Sequence, residues 1–316
     1  MMQVLLTLGS RKSPLAMAQA QMTRDLIGAE LGLSAPDIPQ LLPIRTFTTS
    51  GDQLQDHSLV DAGGKGLFTK ELESALADGD IDLAVHSMKD VPTKLPKGLV
   101  LAGMLPREDP REALIAGEVR SLADLPKNPV IGTASVRRQA QVLRLRPDAK
   151  IILLRGNVGT RLRRLAEGKF DASFLAYAGL KRLGLVEAAS AVLEPDMMLP
   201  SPAQGAIGLQ IRDGDDKTLK LFQGICCEST AIELAAERAF LRVLDGSCRT
   251  PIAALARFDG QTLSFVGEVY VPDGSQVWQE SVTVTPASLD IAAKVGREAG
   301  KKIAQEAGDR IRFETQ

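Results

Sequence analysis

The sequence predicts an α/β fold for about its first 220 residues and a separate α+β region after them. Short apolar runs alternate with amphipathic stretches, which is the pattern of βαβ units around a mostly parallel sheet. The alternation stops near residues 107–111, in a charged segment with a proline, and begins again at residue 130. The last ninety or so residues contain one long helical pattern, three alternating runs and a closing helical pattern. We therefore expect two α/β units followed by an α+β unit.

The 316 residues are about two to three times the usual length of a domain, so more than one hydrophobic core is expected. Apolar residues make up 44% of the chain and charged residues 24%, a composition typical of globular proteins and not of disordered ones. No apolar run approaches the roughly 18 residues that span a bilayer, and Arg11 and Lys12 interrupt the first such run. We therefore expect neither secretion nor a membrane partner.

Three cysteines, of which Cys226 and Cys227 are adjacent, make a poor disulfide framework and favour a reducing compartment. A cytoplasmic location is the resulting prediction. Only two histidines are present, and no Cys/His cluster has the spacing of metal ligands, so no metal site is predicted.

In the first unit, the apolar pattern predicts strands and helices in the order β, α, β, α, β, with one further strand. Ser13 and Pro14 supply the cap and the first-turn proline of the first helix, which is expected to end near Leu31. The predicted elements are strand 4–8, helix 14–31, strand 43–49, helix 68–79, strand 81–85 and strand 99–105.

In the second unit, Ser135 and Asn157 are predicted to cap two helices, which should end before Pro147 and at Gly168. Strands are expected at 130–134, 150–154 and 172–176. The apolar run 206–211 is a candidate strand that returns to the first sheet. The α+β region is predicted to contain helix 229–244, strands 252–258, 262–270 and 276–285, and a helix from about 287.

Polar residues are concentrated where the predicted strands end, which is where open parallel sheets bind ligands. The segment HSMKDVP places Ser87, Lys89 and Asp90 on a turn directly after strand 81–85. A surface turn closed by Pro92 is an equally good interpretation of these residues alone.

Basic residues are concentrated between residues 131 and 183, where twelve Arg or Lys face three acids. Arg137 and Arg138 follow the cap Ser135, where a cation meets the positive end of the helix dipole. A bound carboxylate or phosphate would offset that repulsion, whereas two solvated arginines would merely tolerate it. Arg155 and Arg161 repeat the arrangement around Asn157, so we expect an anionic ligand.

Two further segments suggest function. The glycine-rich run GGKGLFTKELE lacks the G-x-x-x-x-G-K-[ST] spacing of a phosphate loop, so a flexible lid or a plain linker is the better interpretation. Cys248 lies in the polar segment LDGSCRTPI beside Arg249, which would favour a reactive thiolate, although a lone cysteine in a loop is more often incidental.

Eight motifs together carry a resemblance to a known family: SRKSPLA, GGKGLFTKELE, HSMKDVP, GTASVRRQ, RGNVGTRL, LKRLG, QGAIG and GSCRTPI. These motifs occur in the same order as in the hydroxymethylbilane synthase (porphobilinogen deaminase) family, which the chain resembles from about residue 8 to 252. The resemblance implies two doubly wound lobes like the halves of periplasmic solute-binding proteins and a C-terminal α+β domain that carries a cofactor cysteine. The implied domains are 1–105 with 201–223, 106–200, and 224–316.

The same resemblance implies an enzyme of tetrapyrrole (haem or chlorophyll) biosynthesis. It would condense four porphobilinogen molecules, with loss of ammonia, on a dipyrromethane cofactor held by a thioether to Cys248, and then release linear hydroxymethylbilane by hydrolysis. Asp90 matches the catalytic carboxylate, and Lys65 and Phe68 match a flexible lid. The positions that match cofactor- and substrate-binding residues are Arg11, Ser13, Lys65, Phe68, Ser87, Lys89, Ser135, Arg137, Arg138, Arg155, Arg161, Arg182 and Gln204.

The chain departs from the family pattern at a few positions. Ser-Pro-Ala stands before Gln204 where a more glycine-containing run is expected, and Asp61 stands where some relatives have a lysine. Cys226 and Cys227 have no counterpart in the family pattern. The first two departures concern details of the binding site only.

Two other classes of function stay open at this point. A two-lobed binding or sensor protein would close on a small anion without chemistry, but the third domain and its cysteine argue against it. A nucleic-acid binder is suggested by the basic segment alone and is disfavoured by an aromatic content of 4% and the lack of a DNA-reading motif. We expect a monomer whose partner is the small molecule porphobilinogen.

Overall fold

The computed structural model of the chain describes residues 3–53, 66–244 and 250–311. By internal packing these residues form two compact units. The first unit contains the described residues up to 53, together with 66–108 and 206–231. The second contains 109–205 and 232–311. Within the described ranges no helix is both long enough and apolar enough to cross a bilayer.

The strands of the described residues belong to three sheets. They are β1 (Leu8–Arg11), β2 (Ile44–Phe47), β3 (Leu83–Ser87), β4 (Leu99–Met104), β5 (Glu112–Ile115), β6 (Val130–Gly132), β7 (Lys150–Ile152), β8 (Ala172–Ala176), β9 (Ala191–Leu193), β10 (Ile207–Arg212), β11 (Ile252–Phe258), β12 (Leu263–Tyr270) and β13 (Val277–Val284).

The helices cover the faces of these sheets and carry several of the predicted caps. They are α1 (Pro14–Glu30), α2 (Ile38–Leu41), α3 (Ser50–Gln53), α4 (Lys70–Ala77), α5 (Val136–Leu145), α6 (Val158–Ala166), α7 (Tyr177–Arg182), α8 (Asp216–Phe222), α9 (Glu228–Val243) and α10 (Leu289–Ala307). The predicted caps are confirmed: Ser13, Ser135 and Asn157 each accept a hydrogen bond from a backbone N–H in the first turn.

The sheet of the first unit has the strand order β2-β1-β3-β10-β4. Strands β1, β2 and β3 are parallel, so their carboxyl ends meet at one edge. Strand β10 lies antiparallel between β3 and β4, which confirms that the run 206–211 returns to the first sheet. Apolar side chains from α1 and α8 bury the faces of these strands, with Leu8, Ile27 and Phe222 fully enclosed.

The second unit contains a sheet of the same kind, with the order β7-β6-β8-β5-β9. Strands β6, β7 and β8 are parallel, and β5 is antiparallel to both of its neighbours. Glu112, the first residue of β5, therefore lies opposite Ala176, the last residue of β8. This pairing brings a carboxylate to the edge where the parallel strands end.

The C-terminal part of the second unit is a three-stranded antiparallel sheet in the order β11-β12-β13. Helices α9 and α10 pack on one face around Phe240 and Phe265, and α5 contacts the other face through Ala140 and Leu255. Both faces are covered, which explains why β11 is buried along most of its length.

The outer edge of β11 is bonded by groups from outside the sheet. The backbone N–H of Ala254 donates to the Pro200 carbonyl, and that of Ala256 donates to the Glu237 carboxylate at 2.7 Å. The N–H of Phe258 donates to the Glu233 carboxylate at 3.1 Å. Helix α9 therefore satisfies an edge that has no neighbouring strand in the described residues.

The predicted mixed α/β fold with a C-terminal sheet and helix unit is confirmed. The first strand begins later in the chain than predicted. The apolar run predicts a strand at 4–8, whereas the ladder with β2 runs from Leu8 to Arg11. Leu5 and Leu6 instead donate backbone hydrogen bonds to the Leu41 carbonyl. Strands β5 and β9 were not predicted, because four or fewer residues beside charged segments leave no period to recognise.

A chain of buried polar side chains links β3, β10 and α4. His86 bonds through Nε2 to the Oε1 of Gln210 at 2.8 Å, and the Gln210 amide donates to Glu73 at 3.3 Å. Thr69 donates to the other oxygen of Glu73 at 3.1 Å. Burial lowers the pKa of His86 to about 4, against the opposing effect of its bond to Gln210 and with a small contribution from Arg11.

His86 should make stability depend on pH below neutrality. The unfolded chain binds a proton to this histidine near pH 6.5 and the folded chain only near pH 4, so stability is lost as the pH falls through that window. We expect wild type to lose about 3 kcal/mol more than His86→Gln between pH 6.5 and 4. Urea unfolding of both proteins across that range measures the difference. Both proteins contain the same carboxylates, so the contributions of these groups to the pH dependence cancel. Parallel curves for the two proteins would contradict this prediction.

Candidate functional site

The carboxyl ends of β1 and β3 bring Arg11 and Asp90 together in the first unit. Arg11 is the last residue of β1, and Asp90 lies in a single 3-10 turn that directly follows β3. The Arg11 Nη1 lies 3.4 Å from the Asp90 Oδ2, and 29% of the Asp90 side chain is exposed. An accessible carboxylate with a guanidinium beside it can accept hydrogen bonds from a ligand and stabilise a positive charge.

Phe68 fixes the other side of the Arg11 guanidinium. The Cζ atom of Arg11 lies 4.3 Å from the centre of the Phe68 ring, within the range of a cation–π contact. The ring in turn packs on Gly51, where a Cβ atom would come within 2.2 Å of it. Glycine is therefore needed at position 51 for the ring to lie against Arg11.

The remaining predicted residues of this unit surround the same edge. Ser13 accepts the Ala16 N–H at 3.3 Å and so caps α1, while Lys89 is exposed on the turn before Asp90. The Ser87 hydroxyl donates to the Gln19 Oε1 at 2.8 Å. Gln19 is buried on α1 and was not singled out in the sequence, where an amide inside a helix carries no distinctive signal.

In the second unit, the cap Ser135 places Arg137 and Arg138 in the first turn of α5, as predicted. Both arginines are buried, with 5% and 6% of their surface exposed. A carboxylate of the protein offsets their charge: Glu112 Oε1 accepts from Arg137 Nη2 at 2.5 Å, and Oε2 accepts from Arg138 Nη2 at 2.8 Å. Their remaining Nη1 groups donate to backbone carbonyls of Leu199 and Phe174.

Sequence reasoning missed Glu112. A signal was present, because Glu112 begins the apolar run EALI, and a charged residue at the start of a buried strand calls for a charged partner. The strand itself is only four residues long and leaves no period to recognise, so the sequence does not indicate that this carboxylate is buried. Its distance of 25 residues from Arg137 also removes any local pattern that would pair them.

Arg161 adds a further guanidinium group, close enough to both Arg138 and Arg155 to be affected by their charges. Burial, followed by the positive charges of Arg138 and Arg155, lowers the pKa of Arg161 to about 10. Arg161 is held in place by its Nε, which donates to the Gly156 carbonyl at 3.0 Å. Arg161 is only partly buried, but repulsion between neighbouring cations is still a condition that a bound anion would relieve.

Two other predicted residues contact the same part of the second unit. Gln204 is buried, and its amide donates to the Pro110 carbonyl at 2.8 Å and to Glu112 at 3.2 Å. Arg182, the last residue of α7, donates through Nη2 to the Gly205 carbonyl at 2.7 Å. Lys65 and Cys248 lie outside the described residues.

Cys226 is not placed as a reactive group. Its sulfur lies against Gly103 of β4, where a Cβ atom would come within 2.3 Å of it. Burial raises the pKa of the Cys226 thiol, which disfavours the thiolate. We interpret this side chain as part of the packing of the first unit.

Comparison with known proteins identifies relatives over almost the whole chain. Residues 6–220 match the family described as porphobilinogen deaminase, dipyromethane cofactor binding domain, and residues 231–305 match porphobilinogen deaminase, C-terminal domain. A porphobilinogen deaminase of Nitrobacter hamburgensis is 48% identical over 308 residues, which cover 98% of this chain and 95% of the relative. One from Nitrobacter winogradskyi is 47% identical with the same coverage.

Solved structures give a more distant likeness. A periplasmic substrate-binding protein of an ABC transporter from Coxiella burnetii covers 70% of this chain and 91% of its own, at 15% sequence identity and a TM-score of 0.43.

Removing the charge of Arg161 should stabilise the protein. Arg161→Met relieves burial of a cation beside two others, and we expect the free energy of unfolding to rise by about 1 kcal/mol, since the partly solvated side chain screens some of the repulsion. Urea unfolding at pH 7 measures this. Arg163→Met is the matched control on the same helix, where an exposed ion pair with Glu167 should leave stability within about 0.5 kcal/mol. A clear loss of stability in Arg161→Met would contradict the interpretation that Arg138 and Arg155 repel the charge of Arg161.

Proposed function

The chain belongs to the porphobilinogen deaminase family, and on that premise we propose which of its residues carry the reaction. The activity of the family is that of a transferase in porphyrin biosynthesis, a hydroxymethylbilane synthase that condenses porphobilinogen with loss of ammonia. Residues 6–220 match the family's dipyrromethane cofactor binding domain.

The charged residues of the second unit fit this cofactor. Every pyrrole ring carries an acetate and a propionate, so the group is a polyanion that needs several cationic partners. Arg138 retains a buried Nε without a hydrogen-bond partner, and the pKa of Arg161 is lowered by neighbouring cations. A guanidinium nitrogen without a partner and a cation repelled by its neighbours are groups that a polycarboxylate would satisfy. When bound, the cofactor supplies the terminal pyrrole carbon from which the chain is extended.

We assign catalysis to Asp90, and its contact with Arg11 is the observation that carries this assignment. Asp90 is a partly exposed carboxylate at the carboxyl edge of the first sheet, 3.4 Å from Arg11. In this role it accepts hydrogen bonds from pyrrole N–H groups and stabilises the positive charge that develops as ammonia leaves porphobilinogen. Arg11, held by Phe68, keeps the carboxylate in one position while a substrate carboxylate binds on its accessible side.

The other predicted residues are assigned to the binding of carboxylates. Each charged hydrogen bond to a desolvated carboxylate contributes about 1.5–3 kcal/mol, so the groups are effective only together. In the first unit the assigned residues are Arg11, Ser13, Ser87 and Lys89. In the second unit they are Ser135, Arg137, Arg138, Arg155, Arg161, Arg182 and Gln204.

The roles of Cys248 and of the lid rest on the sequence resemblance. We propose that Cys248, which lies within the match to the family's C-terminal domain, holds the cofactor through a thioether. A thioether resists the water that must release the finished product, whereas an ester or thioester would be cleaved by it. Lys65 and Phe68 are proposed to belong to the lid.

Three broader predictions accompany this function. We propose three domains, with the boundaries 1–105 plus 201–223, 106–200 and 224–316, and the two separate sheets of the second unit support such a division. A monomer and a cytoplasmic location stay predictions from the sequence. Light scattering and cell fractionation test them.

A covalent cofactor has a simple signature in the mass of the protein. We expect freshly purified protein to exceed its sequence mass by about 420 Da, the estimate for two condensed pyrrole units on one sulfur. Cys248→Ala should show the sequence mass, and Cys226→Ala should retain the excess. Intact-mass spectrometry makes the three measurements. A wild-type protein of unmodified mass that stays inert with porphobilinogen would instead favour a two-lobed binding protein.

Asp90→Asn should fold and lose most of its turnover, by about a hundredfold or more. The amide preserves the shape of the side chain but not the charge that stabilises a developing cation. Product formation from porphobilinogen gives kcat, and the mass of the variant reports whether the cofactor is present. Asp213→Asn, an exposed change in the same unit, is the control and should leave kcat unchanged. Turnover near that of wild type in Asp90→Asn would remove Asp90 from the mechanism.

A further inference from the structure

We propose that Glu112 is a positioning residue for anion binding, which holds the guanidinium groups of Arg137 and Arg138 in the orientation in which they receive carboxylates. The proposal rests on the proposed function, because it takes the anion to be the carboxylates of cofactor and substrate. Glu112 itself touches neither, and it acts through the two arginines.

The contacts of Glu112 occupy both of its oxygens with residues of the proposed binding site. Oε1 accepts from Arg137 at 2.5 Å and from the Gln204 amide at 3.2 Å, and Oε2 accepts from Arg138 at 2.8 Å. The side chain is fully buried. One carboxylate thus joins three side chains that the family resemblance assigns to the same ligand.

The remaining bonds of the two arginines fix how their planes are turned. Each guanidinium gives Nη2 to Glu112 and Nη1 to a backbone carbonyl, that of Leu199 for Arg137 and that of Phe174 for Arg138. A planar fork with two nitrogens bonded cannot rotate about its axis. In Arg138 this leaves Nε as the nitrogen without a partner. The ion pair with Glu112 therefore determines which guanidinium nitrogen of Arg138 is left to bind a ligand.

Stability alone does not account for a buried carboxylate in this position. Burying an ion pair returns little net free energy, and apolar side chains of similar volume are often as stable or more stable. Burial lowers the pKa of Arg137, and the negative charge of Glu112 is the largest effect that opposes it. The charge of Glu112 thus offsets part of the cost of burying the Arg137 guanidinium.

The sign of one measurement separates positioning from simple electrostatics. Glu112 is an anion beside cations that bind anions, so by Coulomb attraction alone its neutralisation should tighten the binding of a polycarboxylate. If Glu112 orients the arginines, neutralisation should weaken that binding. Glu112→Asp isolates geometry, because it keeps the charge and withdraws the carboxylate by one methylene group.

The test is a calorimetric titration of the full chain with benzene-1,3,5-tricarboxylate at low ionic strength. All proteins carry Cys248→Ala, so that no tethered cofactor competes with the probe, and are titrated below their measured unfolding temperatures. We expect Glu112→Gln and Glu112→Asp to weaken probe binding at least tenfold. Glu118→Gln, which removes an exposed acid from the same unit, should change it less than twofold.

Equal or tighter binding in Glu112→Gln would overturn the proposal, and so would unchanged binding in Glu112→Asp. If Glu112→Gln fails to fold, Glu112→Asp decides alone, since it leaves the net charge of the buried cluster intact. The proposed function is tested separately. If it fails, wild-type protein shows no mass excess, whatever the titration of the Glu112 variants gives. The titration uses neither the tether nor turnover.

Discussion

The confinement of several guanidinium groups in a place poor in water is the constraint on which the second unit depends. Arg137 and Arg138 are nearly enclosed, and both bond to the buried carboxylate of Glu112. The positive charges of Arg138 and Arg155 lower the pKa of Arg161. Like charges in a low dielectric repel strongly, and the bonds from Arg137 and Arg138 to Glu112 and to two backbone carbonyls offset part of that repulsion. A site of this kind favours a ligand that brings several negative charges at once.

Both α/β sheets complete one edge in the same way. In each, three parallel strands end at one edge, and a strand that runs the other way begins there: β10 in the first unit and β5 in the second. The parallel strands place their last residues at this edge, and the antiparallel strand places its first residues there. The chemistry differs, because the first unit places Asp90 beside a single arginine and the second places several arginines around Glu112.

The sequence predicted what local patterns determine. The caps Ser13, Ser135 and Asn157, the strand at 172–176 and the parallel layout follow from residues within a few positions of one another. The family resemblance that the motifs indicate is confirmed by a relative that matches 98% of this chain. Patterns of this kind locate polar residues at strand ends without showing which of them bond to each other.

What could not be predicted depends on contacts between distant positions. The pairing of Glu112 with Arg138 spans 26 residues, and that of His86 with Gln210 spans 124. The sequence indicates repulsion around Arg137 and Arg138 but not the residue that relieves it, because the strand that brings Glu112 to them is only four residues long. Short antiparallel strands leave almost no periodic signal, and here one of them contains the residue that organises the basic cluster.

The carboxylates of α9 have a consequence beyond the fold they complete. A free strand edge is a template onto which another polypeptide can add, and the usual defences are a bulge, a proline or an inward charge. Here Glu233 and Glu237 take up the outward N–H groups of β11 themselves. An incoming strand would have to displace these side-chain acceptors from the edge of β11, which hinders growth of the C-terminal sheet into fibrils on that side.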